Sequence, residues 1–140
     1  MILNRQKRVR VELPSLEKFA RQVKRELRLN GREVAICLVS DAEMTRLNKT
    51  YRGKNKVTDV LSFPVANNTR PKPGATFMGD IAIAPMVARR NAKKYGRALT
   101  EELRILILHG VLHLMGYDHE SDGGHMERRE RRLRRRLSLE

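Results

Sequence analysis

The chain has 140 residues, enough for one ordinary domain with a hydrophobic core. Lysine and arginine number 30 against 16 aspartates and glutamates, and the formal net charge of +14 favours an anionic partner, nucleic acid ahead of a membrane surface. The single cysteine, Cys37, excludes an internal disulfide. No segment approaches the ~20 apolar residues of a membrane span, and the apolar N-terminal stretch is too short for a signal peptide, so we expect a cytoplasmic protein.

The first part of the chain predicts a strand followed by a helix. The segment RVRVEL, from Arg8 to Leu13, alternates polar and apolar residues, which is typical of a half-buried strand. Pro14 and Ser15 then open a helix that ends at Asn30-Gly31. The apolar face of this helix has helical spacing and consists of Leu16, Phe19, Ala20, Val23 and Leu27.

A central strand and a second helix come next. The continuous apolar run from Val34 to Val39 indicates a central strand, in which Cys37 is expected to be a small buried residue. Ser40 and Glu43 form a capping box, which predicts a helix start at this point. The buried face of this second helix is predicted to carry Met44, Leu47 and Tyr51.

The second half of the chain predicts two more strands and three helices. The strands are Thr58 to Phe63 and Asp80 to Ala84, and the segment between them, VANNTRPKPGAT, is either a flap over a cleft or a variable surface loop. The helices are Met86 to Tyr95, Thr100 to about Met115, which is apolar on every side, and an arginine-dense helix from about Gly124. This order predicts one α+β domain over residues 1–140, with a mixed sheet of about four strands and about five helices.

Three of the four histidines fall within the segment HGVLHLMGYDH. His109 and His113 are four residues apart, so both imidazoles project from one face of the apolar helix. Gly116 supplies the left-handed C-cap after which the chain can reverse and bring His119 back. Separate histidines satisfied by core hydrogen bonds are the alternative, but burying two imidazoles without partners costs several kcal/mol. The pattern therefore predicts three ligands of one zinc ion with an open fourth position, as in catalytic sites.

The spacing of this motif equals that of the metzincin zinc peptidases. Those enzymes carry a glutamate as general base directly after the first histidine, whereas this chain has Gly110 there. Glycine cannot accept a proton from water. A metallopeptidase would therefore lack its base.

Three segments carry a closer resemblance. HGVLHLMGYDH resembles the signature of the YbeY family of bacterial rRNA-maturation endoribonucleases, which has glycine at the same second position. LNKTYRGKNKVTDVLSFP, from Leu47 to Pro64, looks like the family's other characteristic segment, and GDIAIAP from Gly79 is similar to one of its strands. Within the longer segment, Asn55 stands where the family pattern has an acidic residue and Val57 where it has proline.

The resemblance implies a cytoplasmic, ribosome-associated zinc hydrolase that cleaves single-stranded RNA and matures the 3′ end of 16S rRNA. It also implies that His109, His113 and His119 bind the zinc ion and that Arg52 is the catalytic arginine. A planar guanidinium suits this role, because it can clamp the phosphate oxygens on which negative charge accumulates during cleavage. The zinc would either activate water or polarise the phosphoryl group for attack by the RNA 2′-hydroxyl, and the sequence leaves both open.

The final helix adds a candidate RNA-binding surface. From His125 onward the chain has seven arginines and three glutamates. Met126, Leu133 and Leu137 form an apolar stripe, so the helix can dock on the body of the protein and expose its arginines. The candidate RNA contacts are Arg128, Arg131 and Arg135. A merely solvated helix face is the alternative.

A non-catalytic ribosome-binding factor, in which zinc only stabilises the C-terminal turn, is the main competing hypothesis. It requires a fourth protein ligand, for which Asp118 and His125 are the nearest candidates. We expect His125 instead to be a surface residue, and Asp118 to orient a ligand histidine.

Overall fold

The computed structural model describes residues 1–65, 77–116 and 124–139. The strands are β1 (Ile2–Asn4), β2 (Glu33–Leu38), β3 (Val60–Pro64) and β4 (Phe77–Ile83). The helices are α1 (Leu13–Glu26), α2 (Asp41–Arg52), α3 (Pro85–Tyr95), α4 (Leu99–Leu114) and α5 (His125–Arg136). Within the described ranges, no helix combines the length and the apolar composition that crossing a membrane requires.

The strands form one mixed sheet in the order β1-β2-β4-β3. β1, β2 and β4 run parallel, while β3 pairs antiparallel with β4, from Val60 opposite Ile83 to Pro64 opposite Gly79. β3 is an edge strand of this sheet. The α+β class and the mixed four-stranded sheet predicted from the sequence are therefore confirmed.

The sheet separates two hydrophobic clusters. On β4, Ile81 and Ile83 belong to the larger cluster, to which α1, α3, α4 and α5 contribute, while Ala82 belongs to the smaller one with Met44 of α2. Successive side chains of a strand point to opposite faces of the sheet. Helix α4, which carries two of the predicted metal ligands, and helix α2, which carries the predicted catalytic arginine, therefore pack on opposite faces.

The predicted strand from Arg8 to Leu13 is wrong, and β1 lies nearer the N-terminus. The buried amide of Gln6 takes the place of a strand partner: its Nε2 donates to the Val9 carbonyl, and its Oε1 accepts from the Val9 amide, both at 2.9 Å. The alternation from Arg8 to Leu13 still indicates which side chains are buried, because Val9 is buried and Val11 packs partly against the core. The backbone there is paired by a side chain, so no strand forms.

The other predicted elements are present with small changes in their bounds. Ser40 caps α2 by accepting the Glu43 amide hydrogen at 3.1 Å, and Gly96 ends α3 with φ of 68°. Helix α1 ends at Glu26 rather than near Asn30, because Arg28 adopts a left-handed φ of 58° and the flanking leucines are both buried.

Two side chains are less buried than predicted. Tyr51 is 65% exposed, and Asn48 occupies the buried position on α2 instead. Cys37 is half-buried rather than buried.

Candidate metal centre and active site

Helix α4 carries two of the predicted metal ligands. Its residues are buried over almost its whole length, whereas His109 and His113 are only half-buried. Both imidazoles therefore lie where an otherwise apolar helix reaches the protein surface. A metal held there would be within reach of substrate, which is the requirement for a catalytic site.

The two imidazoles have a geometry that suits a shared metal ion. Nε2 of His113 lies 3.1 Å from Nε2 of His109, and the ring planes are inclined by 61°. Two nitrogen ligands at about 2.0–2.1 Å from a tetrahedral zinc ion lie roughly 3.3 Å apart. The described residues therefore fit zinc through two Nε2 atoms on consecutive turns of one helix.

The third predicted ligand, His119, and its neighbour Asp118 lie outside the described residues. Among the residues that are described, no group of three histidine, cysteine or acidic side chains is arranged to hold a metal. The two-histidine arrangement on α4 thus requires a ligand from elsewhere, and His119 stays the predicted one. His125 is exposed and lies 3.1 Å from an Arg128 nitrogen, which confirms the expected surface position.

Gly110, between the two histidines, faces the sheet. A Cβ atom added there would lie 2.8 and 2.9 Å from side-chain atoms of Ile81, which is fully buried. The Gly110 carbonyl accepts a hydrogen bond from the Ser62 hydroxyl at 3.1 Å. A glutamate at this position would meet the core instead of the metal centre, so the structure gives a packing reason for the absent peptidase base.

A carboxylate from the final helix contacts the histidine pair. Oε1 of Glu130 lies 2.9 Å from Nδ1 of His109, and Oε2 of Glu130 accepts from Arg134 at 2.7 Å. No role for Glu130 was predicted from the sequence. The available signal was its position on the apolar stripe of α5, between Met126 and Leu133, where a charged residue requires partners.

Arg52 is the last residue of α2, and its side chain is exposed. The preceding Tyr51 packs edge-on against Phe63 of β3, with 5.0 Å between ring centroids. The residue before Phe63 is Ser62, which bonds Gly110. Consecutive residues of β3 thus link the end of α2, which carries Arg52, to the turn of α4 that carries the histidines.

The loop that follows Arg52 is held by Asn48, a buried residue that sequence reasoning missed. Its side-chain Nδ2 donates to the Lys56 backbone carbonyl at 2.9 Å, and its backbone carbonyl accepts from the Lys54 backbone amide at 3.3 Å. Of the two departures from the family pattern, Asn55 is exposed and Val57 packs partly against the smaller cluster.

The predicted RNA-binding arginines lie on the outer face of α5. Met126 and Leu133 are buried, which docks the helix as predicted. The three arginines are all exposed: Arg128, Arg131 and Arg135. Arg131 has an acidic neighbour, Glu127, at 3.9 Å.

Comparisons with known proteins agree with the motifs. The family model described as Endoribonuclease YbeY matches residues 1–138. A relative from Aquifex aeolicus, named Endoribonuclease YbeY, is 41% identical over 132 residues, covering 94% of this chain and 85% of its own. A relative of the same name from Koribacter versatilis is 42% identical over 139 residues, covering 99% of this chain and 86% of its own.

A solved structure supports the fold. The solution structure of TM1509 from Thermotoga maritima is similar to this chain with a TM-score of 0.66 and 27% sequence identity, and the match covers 98% of this chain and 89% of that one. The whole-chain family match and the two bacterial relatives decide the assignment. This chain belongs to the YbeY family of endoribonucleases.

Proposed function

We propose that this chain is a zinc-dependent endoribonuclease that cleaves single-stranded RNA. Family membership supports the reaction class. The observation that carries the zinc proposal is the 3.1 Å separation of the Nε2 atoms of His109 and His113, which matches one edge of a tetrahedral ligand set. His119 would complete the set.

The zinc ion and the protein would make different contributions to the cleavage reaction. When bound, zinc supplies Lewis-acid chemistry, by which water is activated or the phosphoryl group is polarised. His109 and His113 hold their Nε2 atoms in place because α4 is buried against the sheet on both sides of them. Their half-buried imidazoles leave room for substrate beside the ligands.

Arg52 is the proposed catalytic arginine. Its guanidinium is exposed at the end of α2 and can therefore approach a phosphate from solution. A planar guanidinium donates two parallel hydrogen bonds to two phosphate oxygens, and these strengthen as charge develops in the transition state. The end of α2 is fixed by the contact of Tyr51 with Phe63, so the neighbouring arginine starts from a defined position.

The proposed substrate is rRNA, with maturation of the 16S rRNA 3′ end and ribosome quality control as the setting. The net charge of +14 supports binding to the ribosome or its small subunit, since each basic residue near a phosphate adds affinity. In this setting the protein would act in the cytoplasm.

The test is single-turnover cleavage of a labelled single-stranded RNA, with zinc content measured on the same preparations. We expect Arg52→Glu to lower the cleavage rate on the order of a hundredfold or more, while zinc content stays the same. Arg52→Lys keeps the charge but loses the planar fork, so a large loss there would support bidentate contact. RNA affinity should fall much less than the rate, because ground-state phosphate contacts are shared among many basic residues.

The control is His113→Ala, which should lose both zinc and cleavage. If His113→Ala loses its zinc and cleavage survives, the activity comes from a contaminating nuclease; if it keeps zinc and activity, His113 is not a zinc ligand. A parent rate in Arg52→Glu, with His113→Ala inactive, would refute the role of Arg52. A pure protein that binds zinc and RNA but cuts no RNA would favour the non-catalytic binding factor.

A further inference from the structure

Glu130 is a buried acidic residue whose two oxygens have different partners. It is 8% exposed, and a carboxylate at such a position is costly unless it is paired. Oε2 is held by Arg134 of the next helical turn at 2.7 Å, and Oε1 faces Nδ1 of His109 at 2.9 Å. The guanidinium offsets the cost of burial and fixes the plane of the carboxylate. The remaining oxygen is thereby aimed at the histidine.

The contact with His109 selects one form of its imidazole. A carboxylate accepts hydrogen bonds, so a 2.9 Å contact favours the imidazole with its hydrogen on Nδ1. In the neutral ring the other nitrogen, Nε2, then carries the lone pair. Nε2 of His109 is the atom that lies 3.1 Å from Nε2 of His113. The carboxylate therefore stabilises the tautomer that zinc binding through Nε2 needs.

Helix α5 holds Glu130 firmly against α4. Met126 is fully buried four residues before it, and Leu133 is 5% exposed three residues after it. These three positions form one stripe of the helix, whose other faces carry arginine and exposed glutamate. The carboxylate thus reaches His109, 21 residues earlier in the chain, from a rigid support.

We propose that Glu130, held by Arg134, is the positioning residue that orients His109 for zinc. The proposal rests on the zinc site proposed above and goes beyond it, since it adds a residue of α5 to the metal centre. Ligand histidines in zinc proteins commonly donate their second nitrogen to a carboxylate, which fixes the ring and raises its basicity. Losing such a partner typically costs about 10–100-fold in metal affinity.

The first measurement is the zinc dissociation constant, obtained by competition with a chromogenic chelator. We expect Glu130→Ala to weaken zinc binding by about 10–100-fold. Glu130→Gln should also weaken it, because the amide has a single oxygen, for which Arg134 and the Nδ1 hydrogen of His109 would compete. The matched control is Glu127→Gln, which makes the same chemical change on the exposed face of α5 and should leave the constant unchanged. Equal constants for the parent and Glu130→Ala would overturn the proposal, as would an equal loss in Glu127→Gln.

The second measurement separates positioning from a merely structural role. The ¹⁵N chemical shifts of the His109 ring in the zinc-free protein report which nitrogen carries the hydrogen. We expect the Nδ1–H form in the parent and a mixture in both Glu130→Ala and Glu130→Gln, because the single amide oxygen of glutamine is also needed by Arg134. An unchanged tautomer in Glu130→Ala would overturn the proposal. If Glu130→Ala fails to fold, the spectra of the parent and of Glu130→Gln provide the test. A parent His109 with its hydrogen on Nε2 would then refute the proposal.

His109→Ala and His113→Ala distinguish this proposal from the one on which it rests. If both variants bind zinc as tightly as the parent, the proposed zinc site itself is wrong. If both lose zinc while Glu130→Ala keeps the parent constant, the zinc site stands and only the positioning role fails.

Discussion

Cys37 lies on β2 on the face of the sheet that α2 covers, at the wall of a cavity of about 320 Å³. Burial raises the pKa of the Cys37 thiol above its ordinary value, because desolvation disfavours the thiolate. The nearby Arg5 acts in the opposite direction by stabilising the negative charge. The net effect is a thiol that stays protonated and unreactive at neutral pH.

We predict that alkylation of Cys37 by iodoacetamide is slower in the folded protein than in the urea-unfolded chain at pH 8. Only the thiolate reacts, and its fraction at a given pH falls when the pKa is raised. The pH at half-maximal rate should be higher in the folded protein than in the unfolded chain. Cys37 is the only cysteine, so the signal has one source.

Arg5→Gln is the informative variant for this measurement. Removing the positive charge should move the midpoint to still higher pH. A midpoint that falls in Arg5→Gln, or a parent midpoint no higher than that of the unfolded chain, would contradict the electrostatic account.

At the scale of elements, Gly110 decides how closely α4 approaches the sheet. Ile81 of β4 occupies the space where any side chain at position 110 would begin. Ser62 of β3 bonds the Gly110 carbonyl from the edge of the sheet. The helical turn that carries both histidines is thus fixed against two strands. Glycine in a helix interior lowers helix stability by roughly 1 kcal/mol relative to alanine. The close packing of α4 on Ile81 offsets this loss.

We predict that Gly110→Ala lowers the free energy of unfolding by about 1–3 kcal/mol, because overpacking outweighs the gain in helix propensity. Urea unfolding monitored by circular dichroism measures the change. The test is a double-mutant cycle with Ile81→Ala. In the Ile81→Ala background the added methyl group has space. Gly110→Ala should then lower the free energy of unfolding far less, or should raise it. Additive effects in the cycle would show that the two residues do not compete for the same volume.

Over the whole molecule, the positive charge is spread over the surface and includes the outer face of α5. The apolar stripe of this helix is buried, while Arg128, Arg131 and Arg135 are exposed on the other side. Glu130 joins the buried side of the same helix to His109. One element therefore presents cationic groups to solvent and a carboxylate to the proposed metal centre.

We predict that replacing Arg128, Arg131 and Arg135 by Gln weakens binding of single-stranded RNA and flattens its dependence on salt. Each neutralised phosphate contributes about −0.7 to the slope of log K against log salt, so three lost contacts should reduce the slope by about 2. Fluorescence anisotropy of a labelled RNA over a range of salt concentrations measures it. Zinc content should stay the same.

The matched control removes three exposed charges from α3 by replacing Arg89, Lys93 and Lys94 with Gln. Its net charge equals that of the α5 variant, so a general electrostatic effect would flatten both slopes alike. A specific contact surface on α5 predicts a larger change in the α5 variant. Equal slopes in the two variants would show that the α5 arginines form a solvated surface without specific RNA contacts.

The sequence by itself determined the features that depend on neighbours within a few residues. Helical periodicity, the Ser40 cap and the glycine that ends α3 predicted the helices, because capping and spacing act over about one turn. The spacing of His109 and His113 likewise predicted that both rings share a face, and the motifs predicted the family. These inferences need only local geometry and residue identity.

The tertiary structure alone decided the features that join distant segments. Gln6 pairs the backbone of Val9 and removes a strand that alternation predicted. Glu130 meets His109 from 21 residues away, which no local pattern specifies. A polar side chain bonds with whichever group lies beside it after the chain has packed, so its role depends on the tertiary fold. Periodicity can predict that Glu130 is buried, but only the packing of α5 on α4 determines which group it binds.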